Sequence, residues 1–524
     1  MKKLLYLSLA AACLTVFASC SDDALDAVNA DLNHPQTADA KFVFADLCLS
    51  SAFNVAGGDF NTYLGVAVEH WGGCHNQLYK ADQRDGEWIS SSCFDNAWTQ
   101  TYKAISDART IIAKCDPNSG TTDAGNTALA SAAKVLLAYD SAVLTDLFGD
   151  TPYSQACDYD KYKTPDLDKQ EDIYKTIFTL LDEAIAGLED AGSIGTGSYD
   201  FIYGGKADKW LKFAYGLRAR LTMHNILRAA DKAAAYASIL SDIENSFESA
   251  EDQASFTQYD GVNNLNPLFA FWIAREAIAA SGSLYDKLAE REDPRLAMIY
   301  CYPWVGWFNP TNPEEEFDPV PNGEGFEAQE WYTDDVYLYA VDAPTHLLSY
   351  AELQYLKAEV LARTGIYTEA RAALKEALAA TFVNVNVNVK SSCNFTDTQG
   401  YGVYGPNYNG KYLTPADAEA YAARVFDTLD DAELLAEIMV QKYLFFHNAN
   451  GGSVEAFNDV RRLKAEGGEA AEYIALANPN NATKFPLRCG YGSSDTTTNP
   501  NIKNAFGDGS YVYTENVWWA GGKR

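Results

Sequence analysis

The segment YAELQYLKAEVLARTGIYTEARAALKEALAA, residues 350–380, constrains the fold more than any other part of the chain. Small and apolar residues recur on both sides of Gly365 at the spacing of one face of an α-helix. The marker positions are Ala358, Gly365, Tyr367, Ala370, Leu374 and Ala377. Alanine lets two antiparallel helices approach closely, and glycine allows the turn between them. The segment therefore predicts a packed helix pair.

Three further segments carry apolar stripes at helical spacing, which indicates that helices form most of the scaffold. They are ALASAAKVLLAYDSAVLTDLFGD, IYKTIFTLLDEAIAGLE and KWLKFAYGLRARLTMHN. Gly149 and the DTPY after it predict the end of the first of these helices and a turn. The marker spacing in residues 350–380 is similar to that of the second half of a tetratricopeptide repeat. The other helical segments match that repeat far less well.

Other parts of the chain lack a helical period and are predicted to be loop-rich. Residues 300–340 are dense in proline, glycine, aromatic and acidic residues, and residues 465–524 are rich in glycine, asparagine and threonine. Residues 382–415 are also irregular. Within them FVNVNVNVK alternates strictly between apolar and polar residues, which predicts a β-strand.

The N-terminus has the pattern of an export signal. Lys2 and Lys3 precede the apolar run LLYLSLAAACLTVF, and small residues lead to Cys20. The junction resembles a bacterial lipobox, in which the cysteine becomes an acylated N-terminus. Residues 1–19 are predicted to be a signal peptide and residues 20–41 a lipid-anchored flexible tether, so that Cys20 attaches the protein to the membrane. The alternative is a cleaved signal with an incidental cysteine.

Composition excludes several classes of protein. The formal net charge of −32 repels nucleic acid and anionic membrane surfaces, so neither is an expected partner and membrane attachment is expected through the lipid alone. A hydrophobic content of 47% with 21% charged residues is typical of a globular protein. The run after Lys3 is too short to span a bilayer comfortably, and no transmembrane helix is expected elsewhere. The cysteines form no CxxC motif.

A set of segments spreads over most of residues 90–500. They are LTDLFGDTPY, KWLKFAYGLRARL, EDPRLAMIY, LLSYAELQYLKAEVLA, EIMVQKYLFFHNANGGSVEAFNDVRR and FPLRCGYGSSD with the later Asn499. Together, and in this order, these segments resemble the SusD/RagB family of nutrient-binding lipoproteins from Bacteroides-type bacteria. The last one departs from the family's Tyr-Pro-x-x-Glu, because Gly492 and Asp495 stand at the second and fifth positions.

The resemblance implies a mostly α fold. Tetratricopeptide-like helix pairs would form a right-handed superhelical scaffold packed against a loop-rich, irregular second half. Residues 42–524 would be a single unit. The scaffold would lie mainly in 90–250 and 340–450, and the ligand-binding loops mainly in 50–90, 250–340, 380–430 and 465–524.

The resemblance also implies a function. Such a protein would sit at the cell surface on the outer membrane, lipid-anchored at Cys20, as a lid over a SusC-like TonB-dependent barrel. It would capture an oligosaccharide, or a peptide, and deliver it without catalysis. Neither a catalytic residue nor a cofactor is expected.

Capturing a sugar without reacting with it requires flat aromatic faces for the C–H side of the ring and polar groups for the hydroxyls. The chain has 10 Trp and 33 Tyr. Two loops, EHWGGCHNQLYKADQRDGEW and CYPWVGWFNP, combine such rings with amide and guanidinium groups. The predicted ligand-binding residues are Trp304, Trp307, Tyr302, Trp71, Tyr79, Asn76 and Arg84.

Several other residues receive a structural interpretation. Trp98, Trp210 and His224 lie on apolar stripes and are predicted to pack in the core. Asp140 and Asp146 are expected on or beside the polar face of their helix. A third group, of either packing or ligand-binding residues, contains Trp331, Trp518 and Trp519. The residues of HWGGCH that could bind a metal, His70, Cys74 and His75, lack a second pair of ligands, so no metal site is predicted.

Three alternatives to oligosaccharide capture remain open at the level of sequence. Peptide cargo would use the same machinery. A glycoside hydrolase could use a pair of carboxylates, which leaves no short motif among 72 acidic residues. A structural adhesin could use FVNVNVNVK as a pairing edge. The HExxH, GxSxG, Walker and Rossmann patterns are missing from the sequence.

Overall fold

A computed structural model of the protein describes residues 38–190, 195–300, 318–329, 331–395 and 412–523. These residues are mostly α-helical. The helices of the first half are α1 Ala40–Ser50, α2 Asp59–Ala67, α3 Asn76–Asp82, α4 Asp95–Cys115, α5 Thr127–Phe148, α6 Gln170–Asp190, α7 Ala207–His224, α8 Lys232–Glu244, α9 Pro267–Arg275, α10 Gly282–Glu290 and α11 Leu296–Ile299.

Five helices of 11 to 26 residues come first in the described part of the second half, and four short ones follow them. The helices are α12 Tyr350–Arg363, α13 Tyr367–Ser392, α14 Pro415–Val425, α15 Asp431–Phe446, α16 Ser453–Glu466, α17 Asn481–Lys484, α18 Ser493–Thr498, α19 Pro500–Phe506 and α20 Tyr511–Thr514. A π-helical turn, Ser51–Ala56, continues α1.

Successive helices pack on one another as an array, which gives the tetratricopeptide-like arrangement. Helix α4 packs on α5, α5 on α6, α6 on α7 and α7 on α8. Helix α8 contacts α12, which packs extensively on α13 and also on α15, so the array continues into the second half. Gly365 separates α12 from α13 with φ of 77°, a conformation that glycine adopts without strain. The predicted helix pair and the mostly α fold are confirmed.

Helix α5 is the apolar centre of the array. Nearly all of its residues are buried between its neighbours. By length and composition it is the one helix of the described residues that could cross a bilayer, but its burial inside the fold is that of a core helix. Asp140 and Asp146 are buried here, which corrects the prediction that they face solvent. Asp140 accepts a hydrogen bond from Ser51 Oγ at 2.9 Å, and Asp146 pairs with His224.

Two small antiparallel sheets join distant parts of the chain. Strand β1, Trp71–Gly73, pairs with β3, Ile278–Ala280, with Trp71 opposite Ala280. Strand β2, Ala254–Phe256, pairs with β4, Thr345–Leu348. The first sheet brings β1, which precedes α3, against β3, which precedes α10. The loop after α11 joins this sheet, because Val320 N donates to Ala280 O at 2.9 Å, and this arrangement positions the candidate site.

The predicted strand FVNVNVNVK is helical, so that prediction is wrong. Residues 382–390 form the second half of the long helix α13. Phe382, Val385 and Val389 are buried, whereas Val383 and Val387 are 54% and 42% exposed. Burial at intervals of three and four residues is the pattern of a helix against a core. The adhesin hypothesis therefore loses its edge strand.

Candidate functional site

The first predicted ligand-binding loop, residues 69–88, lies against residues 318–329, whereas the second predicted loop, residues 301–310, lies outside the described part of the chain. Ala328 N donates to Cys74 O at 2.9 Å, and Asn76 N donates to Glu327 Oε1 at 3.0 Å. On the other side of the same loop Gly323 N donates to Asp82 Oδ2 at 2.6 Å. Residues 318–329 and 331–333 therefore lie against β1 and α3.

Two large aromatic rings of this loop project into solvent. Trp331 is 60% exposed and Phe326 is 53% exposed. Their ring centroids are 5.7 Å apart at an interplanar angle of 66°. Half-buried Tyr79 and exposed Asn76 lie on α3, which this loop contacts. We call the set Phe326, Trp331, Asn76 and Tyr79 the aromatic face.

Tyr332 fixes the turn that carries the two rings. Its side chain is 9% exposed and belongs to a small apolar cluster with Cys74, Ala279 and Val320. Its hydroxyl accepts from Phe326 N at 3.0 Å, and its ring lies 5.3 Å from the Phe326 ring. The face is thus built on a fixed support, which limits the conformational entropy that ligand binding would cost.

Asp82 and Asn478 hold the loop in place on its buried side. Asn478 Nδ2 donates to Asp82 O at 2.7 Å, while Asp82 accepts from Gly323. Gly323 has φ of 74°, and a Cβ there would lie 2.2 Å from Asn478 Oδ1. Burial raises the pKa of Asp82 to about 7, against the opposing effect of the Arg84 guanidinium. The anchor therefore requires glycine at 323 and a polar acceptor at 82.

Trp71 does not belong to the ligand surface, contrary to the prediction. Its side chain is fully buried, and Nε1 donates to Asp335 Oδ2 at 3.1 Å. The His447 ring packs 5.5 Å from it, and a Cβ at Gly65 would touch its indole. Trp71 is a buried core residue of β1 and supports the site from within the fold.

Arg84 is likewise buried, so the prediction that it contacts ligand is wrong. Its guanidinium donates to Ala81 O at 2.7 Å, Ala67 O at 3.0 Å and Asn481 Oδ1 at 2.9 Å. Burial lowers the pKa of Arg84, while the carboxylates of Asp82 and Glu69 oppose that shift. With these carbonyl acceptors, the side chain ties α2, α3 and α17 together.

The remaining predicted residues divide into two groups. Asn76 and Tyr79 are accessible beside the exposed rings and stay predicted ligand contacts. The residues outside the described part of the chain are Tyr302, Trp304, Trp307 and Cys20. The sequence pattern did not select Phe326, and it left Trp331 open. The one signal that could have found them is their setting, GEGFEAQEW, which places two rings among small and acidic residues.

The histidine and cysteine residues of HWGGCH have separate roles. His70 is buried, and its ring nitrogens lie 3.1 Å from Tyr443 O and 3.3 Å from Ser453 Oγ. Burial lowers the pKa of His70 well below its ordinary value. Cys74 packs in the apolar cluster beneath the aromatic face, and burial raises the pKa of its thiol. Within the described ranges, His, Cys, Asp and Glu side chains form no group suited to a metal ion.

Two tryptophans and one histidine pack in the core, as predicted. Trp98 and Trp210 are buried, and each donates its indole N–H to a carboxylate, of Asp495 and Asp200 respectively. Trp519 is also buried, whereas Trp518 is half-buried. His224 is buried between two carboxylates. The sequence left open whether Trp331, Trp518 and Trp519 pack in the core or bind ligand. Of these three, Trp331 alone is largely exposed.

Comparison with known proteins decides the family. The profile of the SusD-like family described as "Starch-binding associating with outer membrane" matches residues 76–491. The chain belongs to the SusD-like family. A solved SusD/RagB family protein from Bacteroides thetaiotaomicron is 40% identical, with a TM-score of 0.85 over 93% of this chain and 100% of that one.

More distant structures share the SusD-like fold. A chitin-binding protein is 23% identical, with a TM-score of 0.68 over 92% of this chain and 99% of that chain. A SusD homologue from Bacteroides fragilis is 19% identical, with a TM-score of 0.67 over 92% of this chain and 100% of that chain. Among curated proteins no match is found. The family assignment gives this SusD-like protein a nutrient-binding role associated with the outer membrane.

Proposed function

We propose that this SusD-like protein is a cell-surface lipoprotein, anchored at Cys20, that captures an oligosaccharide and delivers it unchanged to a SusC-like TonB-dependent barrel. The observation that carries the proposal is the aromatic face. Two adjacent rings, 60% and 53% exposed on a fixed loop, form an apolar surface that folding alone does not require. The solved chitin-binding protein with this fold supports a saccharide as the cargo.

The charges around the aromatic face favour a sugar without acidic groups there. Glu324 and Glu327 are exposed on the same loop, and Gln329 Nε2 donates to Glu276 Oε2 at 3.2 Å. Arg275 is a nearby exposed cation. Carboxylates can accept hydrogen bonds from sugar hydroxyls, but they repel an anionic ligand. The proposed cargo is therefore a neutral or amine-bearing oligosaccharide.

Alanine substitution of Trp331 tests the face directly. Calorimetry of the mature protein against a panel of neutral oligosaccharides and a peptide digest should identify a saccharide ligand. Trp331→Ala should then weaken its binding about tenfold, or roughly 1.4 kcal/mol, because one stacking surface is lost. The matched control is Tyr159→Ala, which removes a 74% exposed ring outside the face. Equal affinity of the Trp331→Ala and Tyr159→Ala proteins would remove the face from the site, and binding confined to peptides would replace the cargo.

The same calorimetric assay tests the predicted ligand-binding loop that contains Trp304 and Trp307. A Trp304→Ala, Trp307→Ala double variant should also weaken saccharide binding. Unchanged binding of every ligand that the wild type retains would exclude that loop.

The lipid anchor at Cys20 and the association with an outer-membrane barrel are tested in cells. In a Bacteroides host, Cys20→Ser should move the protein from the outer-membrane fraction to the soluble fraction, since a single acylation site would be lost. A gentle-detergent pull-down of the wild type should recover a large outer-membrane barrel. Recovery of the acyl-free variant in the membrane, or of no barrel with the wild type, would contradict these parts of the proposal.

Capture without catalysis is tested by incubating the protein with the ligand found above. The oligosaccharide should show no new reducing ends after many hours of incubation. Sustained turnover would instead support the glycoside hydrolase hypothesis.

A further inference from the structure

Glu327 lies between the two exposed rings of the aromatic face in the sequence, and the start of α3 holds its side chain in place. Asn76 N donates to Glu327 Oε1 at 3.0 Å, and His75 Nδ1 lies 3.6 Å from the same oxygen. Within the described residues no donor binds the other oxygen, Oε2, and the side chain is 47% exposed. A positioned carboxylate oxygen is therefore open to solvent beside Phe326 and Trp331.

Three further carboxylates lie on the same loop and on its flank. Glu324 and Asp318 are exposed on the loop, and neither forms an ion pair within the described ranges. Glu276, at the end of α9, accepts from Gln329 Nε2 at 3.2 Å. Because that amide is neutral, the hydrogen bond leaves the charge of Glu276 in place. The surroundings of Glu327 are therefore acidic.

The permanent cations on the neighbouring elements, Lys80 and Arg275, influence carboxylates outside the aromatic face. Burial raises the pKa of Glu87, and the Lys80 ammonium opposes that shift. Burial also raises the pKa of Asp59, and the Arg275 guanidinium acts against it. Among the described residues, His75 is the one basic side chain within 4 Å of a carboxylate of the loop. Acidic groups therefore outnumber the basic groups that neutralise them at the face.

We propose that the aromatic face selects an oligosaccharide that contains an amino sugar, with the protonated amine at Glu327 Oε2 and the sugar ring on Trp331. The inference rests on the proposed function and narrows its cargo to the amine-bearing class. An ammonium group binds a carboxylate by charge as well as by hydrogen bonding, whereas a hydroxyl offers the hydrogen bond alone. Such a ligand uses both the ring face and the open oxygen.

The test compares triglucosamine with cellotriose. Both are β-1,4-linked, and they differ in the amino group or hydroxyl group at C2 of each unit. Calorimetry of the mature protein at about pH 6, where the amines are protonated, should show about tenfold tighter binding of triglucosamine. Glu327→Gln should reduce the preference to less than about threefold, because the amide still accepts from Asn76 N but carries no charge. Equal binding of the two sugars by the wild type would overturn the proposal.

A net charge of −32 attracts any cation, so two controls separate the specific contact from that general attraction. Glu244→Gln removes one exposed carboxylate of α8, outside the face, and should keep the preference for triglucosamine. Trilysine has the same net positive charge without sugar rings, and it should bind at least about fivefold more weakly than triglucosamine. An intact preference in Glu327→Gln, a lost preference in Glu244→Gln, or trilysine binding as tight as triglucosamine would each contradict selection by Glu327.

The outcomes also distinguish this proposal from the proposed function. Trp331→Ala should weaken binding of both sugars, because stacking on the ring does not depend on charge. If the wild type binds both sugars equally and Trp331→Ala weakens both, the face remains the saccharide site and selection by Glu327 is wrong. If the wild type binds neither sugar, this inference fails, whereas the proposed function is judged on the whole panel of oligosaccharides.

Discussion

Asp82 supports the aromatic face without taking part in it. The residue is fully buried at the end of α3, and its Oδ2 accepts from Gly323 N at 2.6 Å. Gly323 begins the turn that leads to Phe326 and Trp331, so this hydrogen bond sets the height of both rings above α3. A buried backbone N–H that loses its acceptor costs about 1–3 kcal/mol. The loop would relieve that cost by moving, and the rings would move with it.

Asp82→Ala should therefore weaken saccharide binding several-fold while Trp331 is intact. Asp82→Asn is the matched control, because its amide oxygen can still accept from Gly323 N and the volume is almost unchanged. We expect the Asn protein to bind within about twofold of the wild type by calorimetry. If Asp82→Ala binds as tightly as Asp82→Asn, the hydrogen bond does not position the rings.

Residue type alone could not separate ligand contacts from supports. Trp71 and Trp331 are both tryptophans beside glycine or acidic residues, yet one is fully buried and the other 60% exposed. The difference arises from partners remote in sequence, because Asp335 and His447 cover Trp71. Arg84 is buried for the same reason, since its guanidinium donates to Asn481. The sequence predicted ligand-binding loops mainly in residues 50–90 and 250–340, among others. It could not predict which side chains the contact between them would bury.

At the scale of elements, α13 illustrates how local pattern and helix context compete. Alternating Val and Asn favour a strand, because β-branched residues suit strands and the alternation has a period of two. The preceding ALKEALAA is a strong helix former, and the helix continues through FVNVNVNVK to Ser392. In a helix, Val385 and Val389 lie on one face and Val383 and Val387 on another. The α12–α13 helix pair itself was predictable from the sequence, because the spacing of its small and apolar residues fits a helix pair alone.

Asparagine substitutions at neighbouring valines distinguish the two structures. In α13, Val385 is 3% exposed and Val383 is 54% exposed, whereas in a strand both would lie on the same face. Val385→Asn should lower the free energy of unfolding by about 2–3 kcal/mol, because an apolar group is lost and an amide is buried. Val383→Asn should change it by less than about 0.5 kcal/mol. Equal losses in urea unfolding would contradict the helical register.

At the scale of the molecule, a buried charge cluster connects the helix array to the second half. His224 on α7 contacts Asp146 of α5 and Glu455 of α16, each at 2.9 Å. One turn earlier, Arg220 forms a bidentate pair with Glu352 of α12, with both distances 2.6 Å. Four helices from both halves of the chain thus meet in one network. Removing a partner would leave a buried charge without compensation, which is strongly destabilising.

This cluster makes the stability of the whole fold depend on pH in a defined direction. Burial alone would lower the pKa of His224, but the carboxylates of Glu455 and Asp146 raise it to about 9. Because the folded protein holds this proton more tightly than the unfolded chain, the resulting stability is fully present below about pH 6.5 and is lost as the pH rises through about 9. The loss is on the order of 2–3 kcal/mol by about pH 9.5.

The melting temperature of the wild type should therefore fall between pH 7 and pH 9.5 by a few degrees. His224→Gln removes the titrating group and keeps a side chain that can donate a hydrogen bond, so its melting temperature should be lower at pH 7 and nearly flat across the same interval. Differential scanning calorimetry of both proteins at fixed ionic strength gives the two slopes. Lysine and tyrosine side chains titrate in both proteins, so the difference between the slopes reports on residue 224. Parallel slopes would mean that the network holds His224 neutral, and the charged bridge between the two halves of the molecule would then be wrong.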